Sequence, residues 1–245
     1  LSRLRSSMTC CLRCFVCAFR FIESFEEQHE DAHDLWLVFC SEGLSLTNYL
    51  YEASVDQGLV RYQPGAFWRQ YRTSPEGHSG IRELMRQLIE GVASCHERNV
   101  THRDIKPSNL IVHIPTLEEQ QVDPGGEPIL KLADFGSAVD EYSTGNLYGE
   151  TGPSMEDETL DYAPPEVLFG DGVACDAVRP HSYDIWSCGV LLMELVLGTS
   201  KVFQVSGRAR AVISHRMRQS SPEAIDKACL LRSMVQLRIY PPEGA

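Results

Sequence analysis

The hydrophobic positions of this chain gather into a few blocks of different period. Ile81, Leu84, Met85, Leu88, Ile89 and Val92 recur at i, i+3, i+4, i+7, i+8 and i+11, which predicts an amphipathic helix with one apolar face. "LWLVFC", Leu35 to Cys40, is a short run with no polar position, and it predicts a buried strand that ends before Gly43. "NLIVHI" and "ILKLAD" predict two strands of one hairpin, joined across a polar Pro/Gly-rich stretch from Pro115 to Pro128. "DIWSCGVLLMELVLG" is apolar nearly all round, so it predicts a helix at the centre of a helical domain. Between these blocks, Val55 to Gly80 mixes Gly, Pro, Ser and aromatics without a sustained period. That predicts a long surface loop with one short helical turn.

Composition narrows the class. At 245 residues, 43% hydrophobic and 23% charged, the chain can bury the core of one large or two small domains. A formal net charge of −12 argues against a general nucleic-acid binder and against attraction to anionic membranes. No apolar run approaches the roughly 20 residues of a membrane span. The opening "LSRLRSSMTCCLRCFVCAFR" carries arginines and serines without an acid, a transit-peptide-like composition, and it starts at Leu1 rather than Met. Altered or missing upstream sequence is the first expectation and organelle targeting the second. "ESFEEQHEDAHD" follows, with six acids in twelve residues.

Of nine cysteines, Cys10, Cys11, Cys14 and Cys17 crowd together and five lie scattered in apolar context. This pattern predicts buried thiols in a reducing compartment, hence an intracellular, cytoplasmic protein. Cys14 and Cys17 have the spacing of half a zinc site, but no second pair follows, and packing or disorder is expected instead. "HEDAH", His29 to His33, matches H-E-x-x-H. Its acidic flanks and the strand that begins at once predict a solvated turn, not a zinc helix.

The chemistry concentrates in "THRDIKPSNL", Thr101 to Leu110, and in "ADFGSA" after the predicted hairpin. Asp104, Lys106 and Asn109 lie within six residues, and Asp134 follows. Phosphoryl transfer is mostly positioning and charge neutralisation. A carboxylate can orient an acceptor hydroxyl and take its proton, and a lysine can offset charge on the moving group. An Asn and an Asp supply the hard oxygens that suit Mg²⁺.

With these residues in view, the sequence resembles the C-terminal lobe of a eukaryotic protein kinase. His102-Arg103-Asp104 is similar to the catalytic-loop triplet, and Lys106 to the serine/threonine-type lysine. The resemblance implies Asp104 as proton acceptor, Asn109 and Asp134 as metal-holding residues, and ATP and Mg²⁺ as cofactors. Ala163-Pro164-Pro165-Glu166 resembles the Ala-Pro-Glu signature. "SYDIWSCGVLLMEL" resembles the central helix of the lobe, with Asp184 where the family supports the catalytic-loop backbone. "LWLVFCSEG" resembles the hinge strand, which implies Phe39 as gatekeeper, Cys40 to Glu42 as the adenine contact, and Leu110 with Ile111 as the adenine floor. The implied fold is α+β and protein-kinase-like, mainly a helical C-lobe with a small β remnant of the N-lobe. Residues 1–34 are then a basic/acidic segment, either N-lobe remnant or targeting sequence, and residues 35–245 the kinase domain. The expected partner is a protein substrate.

The resemblance also makes Asp134 to Glu166 an activation segment, holding Ser143, Thr144, Tyr148, Thr151, Ser154, Thr159 and Tyr162. Arg103 would grip a phosphate placed there. Thr159 sits where the family bonds a threonine to the catalytic loop, and Arg232 or Arg238 is the candidate partner of Glu166. The departure lies upstream, since no glycine precedes Gly43 and no lysine precedes Lys106. The glycine-rich loop and strand lysine that hold the nucleotide phosphates therefore have no counterpart here. Two expectations follow: a serine/threonine kinase impaired in this chain, or a kinase-like binding or scaffold module without catalysis. The uncovered hinge strand and adenine floor are expected to leave an apolar patch.

Overall fold

The computed structural model describes residues 20–28, 33–56, 59–123, 126–148, 159–169 and 181–236. Its long central helix is α3 (Pro75–His96), preceded by the short helices α1 (Leu46–Leu50) and α2 (Ala66–Tyr71). Ser74 caps α3, its hydroxyl accepting from the Gly77 N–H at 3.0 Å, and Pro75 stands at the first helical position, where its missing N–H costs nothing. The helix thus starts six residues before the apolar stripe. It stops because Asn99 takes a left-handed backbone (φ 55°) and the Val100 N–H turns back to the Cys95 carbonyl. Ile81, Leu84, Met85, Leu88 and Val92 are buried as the period predicts, whereas Ile89 is 53% exposed.

The predicted hairpin is β6 (Leu110–His113) with β7 (Ile129–Leu132), and the short strand β3 (Leu44–Ser45) adds to β6 to give the antiparallel order β3-β6-β7. Gly43 makes this possible: at φ +153° its α-carbon passes so close to Val112 that a Cβ would lie 2.5 Å from the carbonyl oxygen. The outer edge of β7 lies against α3. Gln87 donates to the Pro128 carbonyl at 2.7 Å and accepts from the Leu130 N–H at 2.8 Å, satisfying backbone groups an edge strand leaves open.

Helix α4 (Leu117–Val122) stands inside the β6–β7 connection, α5 (Pro165–Phe169) follows the Ala-Pro-Pro-Glu run, and α6 (Ser182–Leu197) crosses the core. Helices α7 (Gly207–Arg216) and α8 (Pro222–Gln236) complete the lobe. One buried cluster joins Leu46 and Leu50 of α1, Trp68 of α2, the α3 stripe, Leu110, Val112, Leu130 and Leu132 of the sheet, and Cys188, Leu191 and Leu195 of α6. Trp68 is fixed within it by its indole N–H, which donates to the Leu195 carbonyl at 3.3 Å. A smaller cluster packs Ala163, Val167 and Leu168 against Tyr183 and Met234.

Several expectations are corrected. "LWLVFC" is a strand, β2 (His33–Phe39), but an exposed one, with Trp36 51% accessible. Its antiparallel partner is β1 (Phe21–Gln28), formed inside the acidic run, and neither strand enters the buried cluster. His33 lies in β2, so the H-E-x-x-H match has no helix to stand on there, while His29 and the cysteines from Cys10 to Cys17 fall outside the described residues. The expected loop from Val55 to Gly80 takes in the end of β4 (Tyr51–Asp56) and all of its hairpin partner β5 (Leu59–Pro64), then α2 and the first turns of α3. Leu110 is fully buried, so the adenine floor is not bare at that position. Helix α6 is central as expected, yet Ile185, Leu192 and Val196 along one side remain exposed.

Candidate active site

The candidate loop, residues 101–109, is held from beneath by one carboxylate. Asp184, in the first turn of α6 and fully buried, accepts from the backbone N–H groups of both His102 and Arg103 at 2.8 Å. Its Oδ2 also meets His96 Nε2 at 2.8 Å, and the His181 ring stacks on His96 at 4.1 Å. Two converging N–H groups need a bend in the backbone, and Arg103 supplies it with φ +67°. A non-glycine residue in that region costs on the order of 1 kcal/mol, so the conformation needs such an acceptor. The Arg103 side chain is buried, donates to the Ser137 carbonyl at 3.4 Å and lies 5.6 Å from the Tyr183 ring centre.

His102 ties the loop to the segment that carries Asp134. Its Nε2 donates to the Ala133 carbonyl at 3.0 Å, and its Nδ1 accepts from the Asp104 N–H at 3.3 Å. The Ala133 N–H in turn donates to the Asn109 carbonyl at 2.9 Å. This bonding requires the neutral imidazole, because a proton on Nδ1 would face an N–H. Burial pushes the His102 pKa down from its ordinary 6.5, in the same direction. A histidine depressed by folding contributes stability that is complete above the unfolded value and is lost as pH falls below it. Denaturant unfolding is therefore expected to show stability declining below pH 6.5, with a slope of up to about 1.4 kcal/mol per pH unit from this group. His181, also depressed by burial and by neighbouring His96, acts in the same window, whereas Glu83 and Glu119, held below 4.5 by hydrogen bonds, act only in stronger acid. Glu194, raised by burial, acts in the opposite sense, so the His102 part is read as the difference from a His102→Gln variant, and a difference that stays constant from pH 7 to 5 would contradict a neutral His102.

Around Asp104 the loop assembles a compact polar set. Asp104 Oδ2 accepts from Lys106 Nζ at 2.8 Å and from Asn109 Nδ2 at 2.7 Å, and Oδ1 accepts from the Thr159 hydroxyl at 2.9 Å. Lys106 Nζ also donates to Thr159 Oγ1 at 2.8 Å. Asp104 and Asn109 are buried, at 8% and 6% exposure, so their geometry is fixed, not averaged by solvent. Because Asn109 spends its amide N–H on Asp104, its Oδ1 faces the other way and takes only a 3.3 Å bond from the Ser108 hydroxyl. Asp134 is exposed, has a left-handed backbone (φ +59°) and accepts from the Gly136 N–H at 3.2 Å. An amide oxygen and an open carboxylate, linked along the chain by the Ala133 N–H bond to the Asn109 carbonyl, are hard-oxygen donors of the kind that would suit Mg²⁺. Among the described residues no three His, Cys, Asp or Glu side chains converge, so no all-protein cage of the zinc kind is built.

The nucleotide candidates are less tightly gathered. Phe39 packs edge-on against Phe21 at 5.9 Å within the β1–β2 pair. Cys40, half-buried, receives a 3.3 Å contact from Arg20 Nη2. Glu42 pairs with Lys131 Nζ at 3.4 Å, and Ile111 stands in register between Ser45 and Lys131. Ser45 Oγ, donating to the Pro107 carbonyl at 3.1 Å, links this side to the loop. The structure therefore brings Asp104, Lys106 and Asn109 into one assembly, ties the Asp134 segment to it through Ala133, and places Ile111 on the sheet with Glu42 paired to Lys131, whereas Phe39 stays with the β1–β2 pair.

Three residues escaped the sequence reading. Glu194 of α6, 1% exposed, accepts from the hydroxyls of Tyr51 and Tyr162, joining β4 to the segment that follows Thr159. Lys131 of β7 pairs with Glu42. His96 had a signal, a histidine at the end of the predicted helix six residues before His102, but no pattern rule selects it. Tyr162 and Ser143 are engaged structurally, Ser143 in a capping box with Asp140, so both are poor phosphate acceptors as they stand. Thr144 is exposed, and Thr151 and Ser154 lie outside the described residues. Glu166 is exposed and, among the described residues, has no ion pair with Arg232; Arg238 falls outside them.

Comparison with known proteins gives the family. A family model of the protein kinase domain matches residues 25–234. A protein of Arabidopsis thaliana described as a probable inactive protein kinase is 35% identical over 244 residues, covering 91% of this chain and 63% of that protein. The cell division control protein 2 homolog 1 of Trypanosoma brucei brucei is 38% identical over 120 residues, covering 48% of this chain and 32% of that one. The chain thus spans less than two thirds of the length of these relatives. Among solved structures, a chain of the yeast RNA Pol II CTD kinase CTDK-1 complex superposes with a TM-score of 0.51 at 22% identity, over 84% of this chain and 53% of that chain, a likeness of fold. With a domain model spanning most of its length and an α+β protein-kinase-like fold, the chain belongs to the eukaryotic protein kinase superfamily.

Proposed function

We propose that the protein is a serine/threonine kinase, transferring the γ-phosphoryl group of ATP to a protein hydroxyl, and that the chain as given performs this poorly. The observation that carries the proposal is the bonding of Lys106 and Thr159 to the two oxygens of Asp104. A module freed from catalysis has no need to orient a carboxylate from three sides. In this reading Asp104 accepts the proton of the incoming hydroxyl, and Lys106 offsets negative charge beside it. Asn109 Oδ1 and Asp134 hold Mg²⁺, which when bound neutralises charge on the nucleotide phosphates. The impairment rests on the 105 residues before Lys106, which contain no lysine, and on the lack of glycine before Gly43.

Phosphate incorporation into serine- and threonine-containing peptides is expected to be slow, Mg²⁺-dependent, and reduced by about 10²-fold or more in Asp104→Asn. Turnover in the ordinary kinase range of roughly 1–100 s⁻¹ would overturn the impairment. A second reading, a kinase-like binding or scaffold module, is favoured by the Arabidopsis relative described as a probable inactive kinase. Absence of both transfer and Mg²⁺-dependent ATP binding would establish that reading instead.

A further inference from the structure

The hairpin β4–β5 is amphipathic, and most of its apolar face is uncovered. Its register sets Tyr51, Ala53, Val55, Val60, Tyr62 and Pro64 on one face, whereas Glu52, Ser54 and Gln63 stand on the other, with Leu59 at the far end. The base of the apolar face is anchored: Tyr51 and Pro64 are half-buried, and the Tyr51 hydroxyl binds Glu194. Beyond it Val55 is 73%, Val60 59% and Tyr62 72% exposed. The edges are open as well, since among the described residues no third strand joins β4 and β5. The Gly65 N–H donates to the Leu50 carbonyl at 2.9 Å, which fixes the alternation along the ladder. Glu52 and Gln63 exchange backbone bonds inside the hairpin, while Ala53, Val55, Val60 and Tyr62 turn their N–H and C=O groups outward. A two-stranded ribbon by itself is marginal in water, and a third strand bearing apolar side chains satisfies edge and face together.

We propose that β4–β5 docks the protein substrate, taking as its third strand an extended, uncharged segment with β-branched or aromatic residues at alternate positions. Area and charge select this occupant over a second copy of the chain. Val55, Val60 and Tyr62 together expose roughly 400 Å², so two such faces would bury roughly 800 Å², short of the about 1,200 Å² of a stable pair, and copies of net charge −12 repel. The ribbon is also continuous with the candidate site. Tyr51 at its base shares Glu194 with Tyr162, which lies three residues beyond Thr159, and Thr159 bonds Asp104. A polypeptide presenting its hydroxyl to Asp104 reaches the ribbon with about ten extended residues, which span up to roughly 35 Å. The identification of the partner as substrate rests on the kinase reading; the strand addition does not.

The test is fluorescence anisotropy of the full chain with a labelled peptide that joins one serine, through a glycine- and alanine-rich linker of about ten residues, to a block of alternating valine and glutamine. Saturable binding is expected, little changed by added salt because the face carries no charge. Joint replacement Val55→Lys and Tyr62→Lys is expected to weaken it by about tenfold or more. Trp36→Lys and Leu37→Lys together, equal in charge but on the exposed β1–β2 pair, are expected to leave it intact, and thermal melting of every variant checks folding. A peptide N-methylated at every second residue of the block, in either register, is expected to lose binding, because it cannot pair as a strand. No binding by the unmodified chain, equal loss in the β1–β2 variant, or full binding of both N-methylated peptides overturns the proposal. So does sedimentation showing dimers that Val55→Lys with Tyr62→Lys abolishes, since the face would then belong to a second copy. Peptide binding that persists while phosphate transfer is absent would overturn only the kinase reading.

Discussion

Replacing Asp184 with alanine is expected to cost about 4 kcal/mol of stability and to lower the melting temperature by roughly 8–16 °C. The carboxylate is fully buried and accepts from three N–H groups, two backbone and one imidazole, each at 2.8 Å. Alanine leaves the His102 and Arg103 N–H groups with no acceptor in a site closed to solvent. An unsatisfied buried donor costs about 1–3 kcal/mol, and bonds to a charged acceptor are the stronger kind. The left-handed backbone at Arg103 then loses what holds it. Faster amide exchange across residues 102–109 is expected alongside the melting change. Asparagine has the same shape but one acceptor, and turns an amide N–H toward a donor, so it is expected to retain roughly half the lost stability. A melting temperature within a degree or two of the parent would show that the loop is held by other means.

The Asp184 contacts show which parts of the molecule are legible in a sequence. Asp104, Lys106 and Asn109 meet because they share one short loop, so spacing alone brings them together. Asp184 and Thr159 lie 80 and 55 residues from Asp104, a separation only a family resemblance can bridge. The α3 stripe was readable because tertiary packing follows the 3.6-residue period, and the β6–β7 pair because its apolar runs are bounded by turn residues. The hairpin β4–β5 was missed although "EASV" and "VRYQ" alternate in polarity about Gly58, a period-2 signal obscured by the surrounding aromatics and prolines. Exposure was the harder quantity. "LWLVFC" has the composition of a buried strand, but burial depends on what covers a strand, and β1 alone covers neither face. The Glu42–Lys131 pair likewise depends on the register of β3, β6 and β7, which no local pattern encodes.

Glu194 is the case in which a sequence gives least warning and a substitution is expected to do most after Asp184. It sits in the apolar helix α6, 1% exposed, and binds Tyr51 and Tyr162 through separate oxygens. Glu194→Leu is expected to destabilise by about 3 kcal/mol, because it strands the buried Tyr162 hydroxyl and takes an acceptor from the half-buried Tyr51. Part of that loss is offset, since burial raises the Glu194 pKa and so marks its own ionised form as costly to bury. Removing all three polar groups, Tyr51→Phe, Glu194→Leu and Tyr162→Phe, is expected to recover most of the stability, because matched apolar replacement leaves nothing unsatisfied. The triple variant being no better than Glu194→Leu would show that shape, not hydrogen bonding, sets the cost. Alkaline titration gives an independent check. Burial and the adjacent carboxylate raise both tyrosine pKa values above the ordinary 10, so their stabilisation is complete below pH 10 and declines above it as the unfolded tyrosines ionise. The double phenylalanine variant is expected to lose that part of the alkaline transition. Tyr162 lies three residues beyond Thr159, so releasing it should also loosen the Thr159–Asp104 bond, visible as faster amide exchange over residues 159–164. If exchange there is unchanged, Glu194 serves the core alone and has no hold on the candidate site.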